Sequence, residues 1–161
     1  MTIQIGDRIP DAAFGIRGVN GIDTITARDY FADRKVVLFA VPGAFTPTCH
    51  RNHLPSFVAK AEEIKAKGVD AIAVTAVNDI FVLDAWLEAS GAKGKIDGLA
   101  DGAAVFAKAL GLEVDLTERG FGVRSQRYSL LVDNGVVKRL NIEEKPGSIE
   151  ISGADAILAQ L

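Results

Sequence analysis

VVLFAVPGAFTPTCHRNHLP, residues 36–55, sets the plan of this chain. Its first six residues are apolar and rich in branched side chains, as in a strand covered on both faces. Pro42-Gly43 then turns the chain, and Thr46-Pro47 opens a helix, because proline suits a first helical position. The only cysteine, Cys49, falls in the first turn of that helix. Unpaired N–H groups and the positive end of the helix dipole lie there, and both favour a thiolate over a thiol. Thr46, three residues earlier, can face the sulfur with its hydroxyl or cap the helix. Pro55 removes one backbone hydrogen bond and crowds the carbonyl of Arg51, which predicts a kink over residues 51–54.

Working outward, the helix continues with Leu54, Phe57, Val58, Ala61 and Ile64 on one face and ends at Gly68. DAIAVTAV, residues 70–77, is a second buried strand. Asn78 and Asp79 can cap a helix over residues 80–90, with Phe81, Ala85 and Trp86 as its partly apolar face. Residues 96–100 form a short strand, and residues 102–110 a short helix stopped by Gly111. Residues 116–125 read as a loop. Residues 127–132 and 135–141 flank Asp133-Asn134, a strong hairpin signal. Residues 152–161 form a last helix with Ile157, Leu158 and Leu161 apolar. Before residue 36, the glycines and proline of residues 3–20 mark short extended pieces and a small hairpin at a sheet edge. A brief turn or helical piece fills residues 26–33. This alternation of strands and helices, closed by a hairpin and a helix, is the order of an α/β sandwich with a mixed sheet.

A length of 161 residues suits one domain, residues 1–161, with a single core. A net charge of −3 gives no reason to expect nucleic acid or an anionic membrane as partner. One cysteine excludes an internal disulfide. The start, MTIQIGDRIP, lacks the basic and apolar segments of a signal peptide, and no apolar run approaches the roughly 20 residues of a membrane helix. A reducing, cytoplasmic setting is therefore expected. Cys49 and His53 stand one turn apart, but with His50 as the only further ligand of that kind a four-ligand metal site is not expected.

Pro42, Thr46 and Cys49 spell P-x-x-x-T-x-x-C, and the fuller PGAFTPTCHRNHLP resembles the active-site motif of the peroxiredoxins, in particular the five-like, type II subfamily. GDRIPDAAF, VNDIFVLDAW and RYSLLVDNGVVKRLNIE extend the resemblance along nearly the whole chain. It implies a thioredoxin-like fold and a thiol peroxidase that needs no metal, haem or flavin. A thiol of ordinary pKa, about 8.5, is only a few per cent thiolate at neutral pH, so such a site must supply donors and a cation.

The resemblance assigns the cysteine role to Cys49 and a screening, pocket-shaping role to Pro42. It implies that the N–H groups of Thr48 and Cys49 bind the peroxide oxygens, as helix starts bind anions. Thr46 has the donor and lone pairs to accept from the peroxide and donate to the thiolate. Arg127 is the expected cation, its rigid fork able to hold sulfur and peroxide oxygen together, with Arg124 as the rival at the rim. His53 is expected to orient the arginine; His50 has no assigned role.

With no second cysteine, the oxidised sulfur must meet an external thiol: glutathione with glutaredoxin first, thioredoxin second. The family commonly pairs into homodimers, which would place Phe45, residues 78–80 and Phe121 near a two-fold contact. A redox-sensing protein that signals by disulfide exchange with a partner is the alternative from the same cysteine.

Overall fold

The computed structural model describes residues Met1–Leu161. A hairpin of β1 (Ala13–Gly18) and β2 (Gly21–Thr26) comes first, followed by α1 (Ala27–Phe31) and β3 (Lys35–Ala40). A π-helical turn, Cys49–His53, runs into α2 (Leu54–Ala66). Then come β4 (Ala71–Ala76), α3 (Ile80–Ala89), β5 (Asp97–Ala100) and α4 (Val105–Leu110). β6 (Glu113–Leu116) and β7 (Gly122–Ser125) precede the hairpin of β8 (Tyr128–Asp133) and β9 (Val136–Ile142), and α5 (Ala154–Ala159) closes the chain.

Seven strands form one sheet in the order β2-β1-β5-β4-β3-β8-β9. β3, β4 and β5 run parallel and the other pairs antiparallel, so the expected mixed sheet and edge hairpin are present. Alternation along β3 divides the core. Val37 and Phe39 face α2, α3 and α5, whereas Val36, Leu38 and Ala40 face α1 and α4. Leu54, Phe57 and Ile64 of α2 are fully buried, and Phe57 stacks on Phe39 at 4.0 Å. Each such side chain contributes about 1.5–3 kcal/mol of burial, which holds the helix carrying Cys49 onto the sheet. Asn134 (φ 48°) and Gly135 (φ 79°) make the left-handed turn that the Asp-Asn-Gly segment predicts.

Four expectations change. The edge hairpin's second strand, Gly21–Thr26, lies beyond residue 20. The kink before Pro55 takes the form of a π-turn, in which Leu54 N–H donates to the Cys49 carbonyl, five residues back. The buried face of α3 is Ile80, Leu83, Trp86 and Leu87, while Phe81 and Ala85 point outward. Trp86 is buried as expected, but the rest of the covered face is Ile80, Leu83 and Leu87 rather than Phe81 and Ala85. Residues 116–125 are not a plain loop, since β6 and β7 pair as a two-stranded ribbon around a short 3₁₀ turn, Thr117–Arg119. Only Ser125 of that ribbon is buried, and the alternation in Glu113–Leu116, with Val114 and Leu116 half-buried, spans only four residues.

Candidate active site

Residues 41–46 cross from the end of β3 to the helix in a tight loop. Thr46 N–H donates to the Gly43 carbonyl at 3.4 Å, and Phe45 adopts a left-handed backbone (φ 63°). That conformation costs a non-glycine residue about 1–2 kcal/mol. Helical structure starts at Pro47, and the Thr46 carbonyl accepts His50 N–H at 2.8 Å. No protein group accepts from the N–H of Thr48 or of Cys49. Two adjacent main-chain donors at a helix start are thus free, beside a sulfur.

Cys49 is fully buried. Arg127 Nη2 donates to its Sγ at 3.0 Å. Arg127 is itself 2 % exposed; its Nε donates to the Pro146 carbonyl at 2.9 Å and its Nη1 to His53 Nδ1 at 2.7 Å. Because arginine only donates, His53 Nδ1 is the acceptor. The His53 proton is therefore on Nε2, which donates to the Ser152 carbonyl at 2.9 Å. Burial, reinforced by the Arg127 charge, lowers the His53 pKa to about 3, so its imidazole is neutral at physiological pH. A neutral, tautomer-locked imidazole thus aims the guanidinium at the sulfur.

Thr46 Oγ1 donates to the Gly43 carbonyl at 2.7 Å. Its one hydrogen is used there, so it makes no donation to the sulfur, and its lone pairs remain free to accept. Nor does its side chain cap the helix. Arg124 lies at the rim, donating from Nε to Phe121 C=O (2.9 Å) and from Nη1 to Pro42 C=O (3.2 Å). Gly43 leaves it room, since a Cβ there would lie 2.9 Å from Arg124 Nη1. A cavity of about 200 Å³ reaches Arg127, the residue that touches the sulfur, and is lined also by Pro42, Thr46, Thr48, Phe121 and Pro146. Of the residues singled out from sequence, all but Arg124 and His50 converge on this pocket or on the arginine behind it. His50 faces elsewhere, its Nδ1 accepting the Trp86 indole N–H at 3.0 Å.

The segment after β9 was missed in the sequence. It supplies carbonyls rather than side chains: Pro146 to Arg127, Ser152 to His53, and Gly147, which accepts from Thr48 Oγ1 at 3.1 Å. Residue letters carry no mark of a carbonyl's use.

The redoxin family model matches residues 4–158. The chain is 47 % identical over 160 residues to Peroxiredoxin-2C of Oryza sativa subsp. japonica, spanning 99 % of this chain and 98 % of that one. This chain belongs to the peroxiredoxins. As a peroxiredoxin it is a thiol-dependent peroxidase with the thioredoxin-like fold of that family. Among solved structures, reduced Prx3 of Vibrio vulnificus in complex with H2O2 is 50 % identical, with a TM-score of 0.94 over 99 % of each chain. The Plasmodium falciparum antioxidant protein, a 1-Cys peroxiredoxin, is 27 % identical, with a TM-score of 0.89 over 96 % of each chain. This peroxiredoxin likewise has one cysteine, and none of its helices is long and apolar enough to cross a membrane.

Proposed function

We propose that Cys49 is the peroxidatic thiol, acting on hydrogen peroxide and small alkyl hydroperoxides. The observation that carries this reading is the 3.0 Å contact from Arg127 Nη2 to the only thiol in the chain, beside two unpartnered N–H groups. In the reaction, the peroxide enters past Pro42 and its oxygens accept from Thr48 N–H and Cys49 N–H. Thr46 Oγ1, its own hydrogen held by Gly43, accepts a hydrogen bond from the peroxide O–H. The thiolate attacks the near oxygen in line with the O–O bond. That bond breaks, the near oxygen keeps its hydrogen as it bonds to sulfur, and the far oxygen leaves as hydroxide or alkoxide and is protonated from solvent to water or alcohol. Cys49 is left as a sulfenic acid, oxidised by two electrons. Arg127 holds the charge that moves from sulfur to oxygen, and Arg124 shapes the rim.

The cycle closes through an external thiol. Glutathione attacks the sulfenic sulfur, water leaves, and a mixed disulfide forms on Cys49; a glutaredoxin thiolate then removes the glutathione by exchange. Glutaredoxin is the first choice of reductant and thioredoxin the second. Recycling by small thiols suits the cytoplasm. The chain works as one domain, residues 1–161, and pairs as a homodimer. Phe45 and Phe121 are exposed, and their loops are tied to residues 78–80 and to each other by Ala44 N–H to Asn78 Oδ1 (2.9 Å) and by Arg124 to the Pro42 and Phe121 carbonyls.

Intact-mass analysis tests the scheme. One equivalent of peroxide with excess glutathione should give one glutathione adduct per chain, released by glutaredoxin. Peroxide alone should instead drive Cys49 to sulfinic acid. A catalytically competent Cys49–Cys49 disulfide between chains would overturn the recycling scheme, and no rapid reaction with peroxide would overturn the assignment of Cys49. Peroxide consumption with glutathione plus glutaredoxin, against thioredoxin alone, ranks the reductants.

A further inference from the structure

Glu143 follows β9, is 4 % exposed, and makes no ion pair with any lysine or arginine. A buried carboxylate without a cation needs several donors to hold its charge. Glu143 finds them all in one short segment. Its Oε2 accepts the N–H groups of Glu150 (2.9 Å), Ile151 (3.0 Å) and Ser152 (2.7 Å) and the Ser152 hydroxyl (2.5 Å). Its own N–H donates to the Arg127 carbonyl at 3.0 Å. Burial opposes its charge, but the Ser152 hydroxyl and these N–H groups outweigh it and hold the carboxyl below its ordinary range. The carboxylate therefore clamps residues 150–152 to the strand end beside Arg127.

What the clamp holds in place is the Ser152 carbonyl, which accepts from His53 Nε2. Take that carbonyl away and the imidazole loses the acceptor of its Nε2 proton, leaving the contact from Arg127 Nη1 to Nδ1 as the only one that still favours this tautomer. A proton on Nδ1 instead would set donor against donor at Arg127 Nη1, and the guanidinium would turn from the sulfur. We propose that Glu143 is a positioning residue of the peroxidase site: by fixing the Ser152 carbonyl it reinforces the His53 tautomer and ring position that hold Arg127 on Cys49. This rests on the reading of Cys49 as the peroxidatic thiol. The line runs from Glu143 through Ser152, His53 and Arg127 to Cys49, each member in direct contact with the next.

The test pairs a rate with a tautomer. The rate is that of the reduced full-length protein with hydrogen peroxide under stopped flow. The tautomer is read from the imidazole ¹⁵N shifts of His53, assigned with His53→Gln. Glu143→Ala should slow the reaction about ten-fold or more, the scale that misplacing a reacting group costs, and should shift the His53 signals. Glu143→Gln can leave its oxygen where Oε2 sits, and should restore most of the rate and the parent His53 signals. Should Glu143→Ala not fold, Glu143→Asp withdraws the carboxylate by one methylene and is read by the same two measurements. A folded variant that reacts within two-fold of the parent overturns the proposal, as does one that is slow with His53 unmoved. Slow reaction of the parent itself would instead count against Cys49 as the peroxidatic thiol.

Discussion

Two strand-to-helix junctions stand side by side in this molecule and differ in how they treat the start of the helix. β3 and β4 are parallel neighbours, so both hand over to their helices at the same edge of the sheet. After β4 the chain takes three residues, and Asp79 caps α3, its Oδ1 accepting Val82 N–H at 2.9 Å. After β3 it takes six, Pro47 opens the helical run, and the N–H groups of Thr48 and Cys49 stay free. The first junction satisfies its helix dipole with its own carboxylate. The second keeps the positive end open and brings a guanidinium, not a carboxylate, to the sulfur there. A built-in cap stabilises a helix by about 1 kcal/mol; leaving it out gives up that stability and leaves two donors for a visiting oxygen. Asn78 joins the two junctions by accepting Ala44 N–H.

Making the second junction resemble the first should have the largest effect. Thr46→Asp places a carboxylate at the capping position, within reach of the Thr48 and Cys49 N–H groups. Reaction with peroxide should slow about 100-fold or more, comparable to losing an oxyanion donor, while the urea midpoint holds or rises. A variant still fast under stopped flow would mean that those N–H groups are not the peroxide's seat.

Next comes the cation. Arg127→Lys keeps the charge but cannot occupy sulfur, His53 and Pro146 together, so the rate should fall about ten- to 100-fold. Arg124→Ala should cost less. Rate constants for the two purified variants decide, and the reverse order would transfer the cation role to Arg124.

Acid should loosen the reactive junction. The folded His53 pKa, about 3, lies below its ordinary 6.5, so between those values the unfolded chain binds a proton that the folded chain refuses. Stability should therefore fall as pH drops below about 6.5, by up to about 1.4 kcal/mol per pH unit from this group. Glu143, with its pKa lowered, adds a loss in the same direction as its folded value is approached. Urea midpoints from pH 7 to pH 4 measure the slope, and His53→Gln should flatten it. The smallest effect belongs to the capped junction. Asp79→Ala should cost about 1 kcal/mol in urea unfolding and change the rate per folded chain less than two-fold.

Much of this contrast could be read from residue types, because it depends on side chains at fixed spacing. Asp79 before an apolar run announces its cap. Thr46-Pro47 with Cys49 in the next turn announces a helix start, and the motif's resemblance then named Arg127 and His53 as its partners. Where side chains do not carry the information, the sequence is silent. The face of α3 was legible only in part, since Trp86 is buried as expected but Phe81 is exposed while Leu83 and Leu87 are covered. The ribbon of β6 and β7 offers only a four-residue alternation, Glu113–Leu116, with no buried apolar side chain. The partner that His50 lacked in the sequence is Trp86, brought near only by the packing of α3.

The segment after β9 has a consequence of another kind. Pro146, Gly147 and Ser152 act through carbonyls, and a Cβ at Gly147 would meet open space. Between Glu143 and Ser152, then, the chain functions as a ruler: what matters is the number of links, while the letters on residues 144–149 are nearly free. Exchanging letters there leaves three acceptors at their stations, whereas adding or removing one link puts all three out of step with Arg127, Thr48 and His53 at once. Drift in this protein can rewrite that span so long as it never recounts it.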